Sequence, residues 1–274
     1  MNQMIAPTIS RLKITPARLE GEVFLSGAKN SALRLLAASL LTSEEVVLTN
    51  YPSQLLDAQI HVEMLEMLGK KAVLVSPDEI RITEVAPPDS RLNWGGRSIR
   101  NTLLILGALT ARTGAGAVPV PGGCQLGDRK YDIHIMLLER LGAKVWGEGE
   151  YLCAEAPNGL VGTDIHLPLR STGATENAII AGTLAKGVTR VWNPHIRPEI
   201  LDLIAMLRSM GAQIRVFGQE HIEITGSEGL SGTQHRVIAD NMEAITWLAG
   251  AVITGGDVEI HGFPYELSLI HISE

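Results

Sequence analysis

The chain has 274 residues, of which 45% are hydrophobic and 19% are charged, and its formal net charge is −7. This length and composition allow a substantial buried core, which excludes a disordered protein and is typical of one large or two ordinary domains. The acidic balance argues against a general nucleic-acid binder or a polybasic membrane-surface protein, because both need a cationic face. No apolar run approaches the ~18 residues of a membrane span, and the first residues do not resemble an export signal. We therefore expect a soluble, cytoplasmic protein.

The predicted elements, taken in chain order, form a repeat. Each unit opens on a small polar cluster, runs into an apolar helix and a strand, and ends on a second helix that stops at glycine. The opening clusters are residues 28–31, 99–102 and 174–177, and the terminal glycines are Gly69, Gly142 and Gly211. Glycine is expected there because a helix commonly ends on a residue in the left-handed conformation.

A pair of short alternating strands follows each of these glycines. The pairs are residues 71–75 with 79–82, 144–146 with 151–154, and 213–216 with 221–224. The pattern predicts three β-α-β-α-β-β units. The first helices are apolar nearly all round, so we expect them to pack together with the sheets outside them. A fourth unit begins at Asn241, and we expect its helix, residues 242–253, to leave apolar surface exposed.

The richest stretch for chemistry is the loop over residues 121–134. It places Cys124 after two glycines and follows it with Arg129, Lys130, Asp132 and His134. Glycine lets backbone approach a ligand, and neighbouring cations favour a thiolate, so the loop is suited to handling an anion. The other cysteine lies in a predicted strand and is expected to be an inert buried thiol. The spacing of the two cysteines and eight histidines indicates neither a disulfide nor a metal site.

Four segments in colinear order carry a family resemblance: residues 27–33, residues 99–100, the Pro-Gly-Gly-Cys loop with the residues that follow it, and residues 171–177. Together they resemble the UDP-N-acetylglucosamine 1-carboxyvinyltransferases, which are enolpyruvyl transferases. The resemblance extends from about residue 10 to about residue 265. It implies an α/β fold, an inside-out barrel-like domain of three such repeats, with another domain that is incomplete. The implied limits are residues 1–28 and 237–266 for the incomplete first domain, 29–236 for the complete second domain, and 267–274 for a non-native or frame-shifted tail.

The implied reaction transfers the enolpyruvyl group of phosphoenolpyruvate to the 3′-hydroxyl of UDP-N-acetylglucosamine and releases phosphate, the first committed step of peptidoglycan synthesis. Such a site must hold a multiply charged anion and give a proton to its methylene carbon. The resemblance implies no cofactor and no metal, and small molecules as the only partners. The family's aspartate beside the attacking hydroxyl, and a further arginine, have no counterpart in the matched part. We therefore expect little or no turnover from this chain alone.

The resemblance also implies roles for individual residues. Cys124 matches the general acid that fosfomycin alkylates, and Lys29 and Arg129 match the phosphoenolpyruvate-binding cations. The residues that match the sugar-nucleotide site are Asn30, Arg100, Asp132, Ile133, His134, Ser171, Thr172 and Gly173.

Local sequence alone also fits simpler interpretations of these residues. Lys29 fits an exposed cation at a helix start, and Ser171 fits an ordinary N-cap. Asn30 recurs in the other units as Asn101 and Asn177, so a helix cap would explain all three asparagines.

Two segments depart from the family pattern. Residues 195–199 read His-Ile-Arg-Pro-Glu where the family usually has Ala-Arg-Glu-Pro-Glu, and residues 239–245 lack the family's Arg and Thr-Gly. These changes leave two alternatives open: a related transferase with another nucleotide acceptor, and a non-catalytic nucleotide-sugar-binding protein. A shikimate-pathway transferase is disfavoured by the Pro-Gly-Gly-Cys loop and the Ala-Lys-Asn opening.

Overall fold

A computed structural model describes residues 13, 15–97, 99–121 and 131–265. Its helices are α1 (Lys29–Ala38), α2 (Leu56–Met67), α3 (Thr102–Thr113), α4 (Asp132–Arg140), α5 (Thr172–Thr183), α6 (Pro198–Ser209) and α7 (Asn241–Thr254). Its strands are β1 (Glu20–Phe24), β2 (Val46–Thr49), β3 (Lys70–Ser76), β4 (Glu79–Glu84), β5 (Ala115–Pro119), β6 (Lys144–Glu148), β7 (Tyr151–Glu155), β8 (Asp164–His166), β9 (Val188–Trp192), β10 (Gln213–Phe217), β11 (His221–Thr225), β12 (Thr233–Arg236) and β13 (Asp257–His261).

The predicted repeat agrees with these elements, apart from the start of α5. The glycines at 69, 142 and 211 end α2, α4 and α6 with φ of 94°, 92° and 101°, the left-handed region that favours glycine. Helix α5 begins at Thr172, earlier than the predicted opening cluster, because the Ser171 hydroxyl caps it by accepting the Ala174 N–H at 3.3 Å. Asn177 consequently lies inside the helix and does not open it.

The three units join through their sheets in a ring. Each unit forms an antiparallel sheet, β2–β4–β3, β5–β7–β6 or β9–β11–β10. The chain that leaves one unit then pairs in parallel with the next: Arg91 bridges to Ala117 in β5, and β8 pairs with β9. Strand β12, which follows the third unit, returns to pair with β2 of the first. The sheets stay separate, so the barrel-like arrangement is not a closed barrel in the part of the chain that the structure describes.

Helices α1, α3 and α5 form the centre of the ring, as their apolar composition predicts. All residues of α3 from Thr102 to Thr110 are buried. The Asn101 side-chain amide donates to the Leu33 carbonyl at 2.8 Å, which joins the start of α3 to α1. Arg34 of α1 meets Glu176 of α5 at 2.7 Å. The first halves of the three helices therefore lie side by side, and their N-termini face the same end of the ring.

The fourth unit lies outside this ring. Strand β1 pairs in parallel with β13, and the chain crosses between this pair and the ring twice. The two crossing segments are hydrogen-bonded to each other, since Ala28 N–H donates to the Ile238 carbonyl at 2.7 Å and Asp240 N–H donates to the Ser26 carbonyl at 2.8 Å. In α7 only Ala244 is buried. No helix among the described residues has both the length and the apolar character needed to cross a bilayer.

We expect the chain to self-associate through α7. Leu248 and Val252 lie one turn apart and are 58% and 73% exposed, and an apolar stripe of this kind is normally covered. Size-exclusion chromatography with light scattering should give a mass that rises with concentration, and the double substitution Leu248→Glu, Val252→Lys should restore the monomer. Val161→Lys, at an exposed apolar position on the ring, is the control that should change nothing. A wild-type chain that stays monomeric at every concentration would contradict this expectation.

Candidate functional site

Lys29 and Asn30 form the first turn of α1. The residue before them, Ala28, has no side chain that could cap the helix, so the first N–H groups are available to an anion. The Lys29 side chain is 45% exposed, and its Nζ lies 3.5 Å from Asp57 Oδ2. Asn30 is exposed. An exposed cation beside open helix N–H groups can bind a phosphate or a carboxylate.

The counterparts of Asn30 in the other units do not act as caps. The Asn101 amide contacts His61 Nδ1 at 3.1 Å, and the Asn177 amide contacts His134 Nδ1 at the same distance. Both asparagines are buried. In each case the second helix of one unit supplies the histidine, and the next unit supplies the asparagine, just before α3 for Asn101 and within α5 for Asn177. The cap interpretation of these asparagines was therefore wrong, and the exposed Asn30 is the exception among the three.

Both junction histidines are neutral at ordinary pH. Burial lowers the pKa of His61 to about 3, and the positive charge of Arg34 adds to the effect. Burial also lowers the pKa of His134 to about 4, helped by Arg100 and opposed by Asp132. The Asn177 side chain lies 3.1 Å from the Nδ1 of this neutral imidazole, so His134 joins α4 to α5 without adding a charge.

His134 lies beneath the turn at residues 171–173. A Cβ added to Gly173 would be 3.4 Å from both Cε1 and Nε2 of His134, so a larger residue would crowd the ring. The Thr172 hydroxyl is 2.7 Å from His195 Nδ1. Ser171 serves as the N-cap, which confirms the simpler interpretation without excluding a ligand. In the sequence, His195 is recognisable only as a departure from the family pattern, and its contact with this turn was not predicted.

The remaining described site residues border the same turn. Arg100 precedes α3 and acts electrostatically on His134, as does Asp132 at the start of α4. Asp132 is exposed, whereas Ile133 packs partly against the core. Any ligand contact of Ile133 would therefore involve its backbone more than its side chain. The structure thus gathers Arg100, Asp132, His134 and Gly173 at the end of the ring where α1 also begins.

Cys124 and Arg129 lie outside the described residues, so their predicted roles stay predictions. Cys153 is described and buried in β7, as predicted. Burial raises the pKa of its thiol, and the negative charge of Glu148 adds to this while Arg91 opposes it. A buried thiol with a raised pKa is a poor nucleophile.

A set of buried charges behind the site was missed by the sequence analysis. Arg34 Nε and Glu176 Oε1 are 2.7 Å apart, yet neither Glu176 oxygen has a hydrogen bond of acceptable geometry among the described residues. Glu199 is also buried, with Arg197 Nε at 3.5 Å from its Oε2. Arginine within the apolar run of α1 and glutamate within that of α5 were the signals available, because charges in such helices need partners.

One cluster elsewhere could hold a cation. Glu22, Glu259 and His261 place ligand atoms within 4.8 Å of one another on the β1–β13 pair. The two carboxylates are exposed, and His261 Nε2 lies 3.4 Å from one and 3.5 Å from the other. These distances are those of a histidine between two acidic partners.

Comparison with known proteins decides the family. A family model described as EPSP synthase (3-phosphoshikimate 1-carboxyvinyltransferase) matches residues 14–269. The chain belongs to this family. The UDP-N-acetylglucosamine 1-carboxyvinyltransferase of Gluconacetobacter diazotrophicus is 44% identical over 254 residues, which are 89% of this chain and 59% of that protein. The protein of the same name from Maricaulis maris is 42% identical over 248 residues, 90% of this chain and 58% of that protein. The chain thus spans less than two thirds of the length of these relatives.

Solved structures of this enolpyruvyl transferase family share the fold. The enolpyruvyl transferase NikO from Streptomyces tendae aligns with a TM-score of 0.72 at 23% identity, covering 84% of this chain and 55% of that one. An EPSP synthase from Acinetobacter baumannii aligns with a TM-score of 0.72 at 23% identity, covering 90% and 57%. The fold predicted from the repeat is therefore confirmed.

Proposed function

We propose that this chain supplies the phosphoenolpyruvate and nucleotide-sugar contacts of a UDP-N-acetylglucosamine 1-carboxyvinyltransferase that works in the cytoplasm. The observation that supports this most is its 44% identity, over 89% of its residues, to a relative of that name. The domain that carries these contacts spans residues 29–236, the part in which β12 returns to β2 and joins the last unit to the first.

The reaction joins a sugar hydroxyl to C2 of phosphoenolpyruvate. The Cys124 thiol gives its proton to the methylene carbon C3 while the 3′-hydroxyl oxygen bonds to C2 and loses its proton to a base. The tetrahedral adduct then loses a proton from C3 and expels inorganic phosphate, which restores the double bond. Lys29, Arg129 and the open N-terminus of α1 would hold the phosphate and carboxylate charges through these steps.

The sugar nucleotide would lie at the junction of α4 and α5. Arg100 and the partly exposed turn at the start of α5 suit a diphosphate, because a guanidinium fork and the first N–H groups of a helix both favour phosphate oxygens. His134, held neutral by burial, lies against the 171–173 turn and adds no positive charge there. Asn30, Asp132, Ile133, Ser171, Thr172 and Gly173 complete this set.

Ligand-induced stabilisation tests the proposal directly. UDP-N-acetylglucosamine at 100 times its Kd should stabilise the chain by about 2.7 kcal/mol, seen as a rise in Tm. Phosphoenolpyruvate should add a further rise that is lost in Lys29→Met and kept in Lys144→Met, which removes an exposed lysine on another part of the ring. Equal behaviour of the two lysine variants would exclude Lys29 from the site.

Alkylation separates the two thiols. Fosfomycin should add its mass to Cys124 and leave Cys153 unmodified, because the Cys153 thiol is buried and its pKa is raised. Peptide mass spectrometry of the treated chain gives both results at once, and Cys124→Ser is the matched control. Modification of Cys153 with Cys124 intact would reverse the assignment.

A second acceptor is favoured by one observation. His195 contacts Thr172, so this departure from the family pattern is placed against the proposed nucleotide turn. A transferase for another nucleotide would show a larger Tm rise with a different UDP-sugar or free nucleotide than with UDP-N-acetylglucosamine. Comparing the same series on His195→Ala would show whether this histidine selects the ligand.

A further inference from the structure

The junction between the third and first units differs from the other two. At the first two junctions a histidine of the second helix meets a buried asparagine of the next unit. At the third, Leu203 of α6 occupies the histidine position, the same distance before the terminal glycine, and Asn30 is exposed. The chain therefore joins α6 to α1 by another means.

The buried carboxylate of Asp202, on α6, makes this connection. Its Oδ2 accepts a short hydrogen bond from the hydroxyl of Ser31 and a longer one, of 3.3 Å, from the N–H of Ile238. Its Oδ1 lies 2.8 Å from His235 Nε2. A single carboxylate thus has three donors on three segments: α1, β12 and the second crossing segment.

We infer that Asp202 is a positioning residue that fixes the first turn of α1, and with it Lys29 and Asn30, against the segments that cross to the β1–β13 pair. Ser31 follows Asn30 directly, so the Asp202–Ser31 bond sets the rotation of the turn that carries both ligand residues. Ile238 extends the link, because its N–H donates to Asp202 and its carbonyl accepts from Ala28 N–H.

This arrangement explains why Asn30 differs from its counterparts. If Asn30 made the junction contact, it would be buried as Asn101 and Asn177 are. Transferring that contact to Ser31 leaves the asparagine in solvent beside Lys29. Buried hydrogen-bonded carboxylates are costly to leave unpaired, so all three donors hold Asp202 in one orientation.

Labelling of Lys29 tests the inference without depending on turnover. Competitive acetylation, followed by mass spectrometry across a pH series, reports the exposure and titration of Lys29 relative to Lys144 in the same molecule. In Ser31→Ala and in Asp202→Asn the first turn should loosen and Lys29 should leave Asp57. Its relative labelling rate should then rise about tenfold, which equals 1.4 kcal/mol. The matched control is Ser39→Ala, a buried serine at the other end of the same helix, whose hydroxyl donates to the Leu36 carbonyl at 2.7 Å.

The inference is overturned if Ser31→Ala and Asp202→Asn both keep the wild-type rate and pH profile of Lys29 labelling. Asp202 would then be merely structural, whatever loss of Tm the two variants share with Ser39→Ala. Should Asp202→Asn not fold, Ser31→Ala decides alone, because Asp202 keeps two donors there.

The claim that this turn binds phosphoenolpyruvate rests on the proposed function, and a separate measurement tests it. Phosphoenolpyruvate should protect Lys29 from labelling, with about tenfold more needed in Ser31→Ala than in Ser39→Ala. No protection in the wild type would reject the phosphoenolpyruvate role, whereas the labelling rates without ligand would still decide the role of Asp202.

Discussion

Replacing Arg34 by methionine should lower the free energy of unfolding by about 3–5 kcal/mol, the range for breaking a buried ion pair from one side. The substitution leaves the Glu176 carboxylate, which is 1% exposed, without its cation in the centre of the ring. The guanidinium Nε lies 2.7 Å from Glu176 Oε1, and Arg34 lowers the pKa of Glu176 against the effect of burial, so the charged carboxylate depends on Arg34. Urea unfolding followed by circular dichroism measures the loss.

Two further variants separate charge from packing. Glu176→Gln should cost less than Arg34→Met, because the charge that it leaves, Arg34, is 16% exposed and keeps an amide oxygen beside it, whereas Arg34→Met leaves a carboxylate that is 1% exposed. The double change Arg34→Met, Glu176→Leu should recover much of the loss, since an apolar pair of similar volume avoids desolvating two ions. An Arg34→Met variant within 1 kcal/mol of wild type, a range typical of surface pairs, would show that the ion pair is not needed.

The same pair makes stability depend on pH. Burial raises the pKa of Glu176; Arg34 opposes the rise and the nearby Glu199 adds to it. A carboxyl whose pKa is higher in the folded than in the unfolded state contributes stability at low pH, and this is lost as pH rises through the folded value. The unfolding free energy of the wild type should therefore fall relative to that of Glu176→Gln as pH increases above the ordinary glutamate range.

Much of the fold follows from local rules that the sequence displays. Glycines at 69, 142 and 211 mark helix ends because few other residues adopt positive φ, and alternation predicts each hairpin because a strand has period two. The return of β12 to β2 was not predictable in this way. Those two strands are far apart in the chain, and their parallel pairing leaves no local signal.

In the candidate site, too, some features were predictable from the sequence and others depend on how distant segments pack. Lys29, Arg100 and Gly173 were predicted as site residues from the resemblance, and each lies at the end where α1, α3 and α5 begin; their binding roles stay predictions. The contacts of Asn101, Asn177 and Asp202 were not found, because each joins two units and depends on how the helices pack. Sequence spacing suggested caps for the asparagines, but burial between helices offered them histidine partners instead.

Glu84, at the end of β4, is partly buried and has the opposite electrostatic setting to Glu176. Arg112 holds both its oxygens, with Nη1 at 2.6 Å and Nη2 at 2.9 Å, and Lys70 Nζ lies 3.0 Å away. Lys70 also donates to the Thr42 carbonyl at 2.5 Å, and Arg112 donates to the Leu40 carbonyl at 2.7 Å. Two cations thus share one carboxylate and tie the end of α1 to the first sheet.

Glu84→Ala should lower the unfolding free energy by about 3–5 kcal/mol, because it leaves two cations unpaired in a largely buried setting. The matched control is Glu79→Ala at the other end of β4. Its pair with Arg81 is longer, at 3.6 Å, and more exposed than that of Glu84, and should be worth under about 1 kcal/mol. Burial alone would raise the pKa of Glu84, but the hydrogen bonds and charges of Arg112 and Lys70 outweigh it and lower the pKa. Glu84 therefore stabilises the fold at pH values above its pKa in the unfolded chain. This stabilisation is lost as pH falls through its pKa in the folded protein, the reverse of Glu176. Acid unfolding curves of wild type and Glu84→Ala should converge at low pH, and curves that stay parallel down to the acid limit would contradict this assignment.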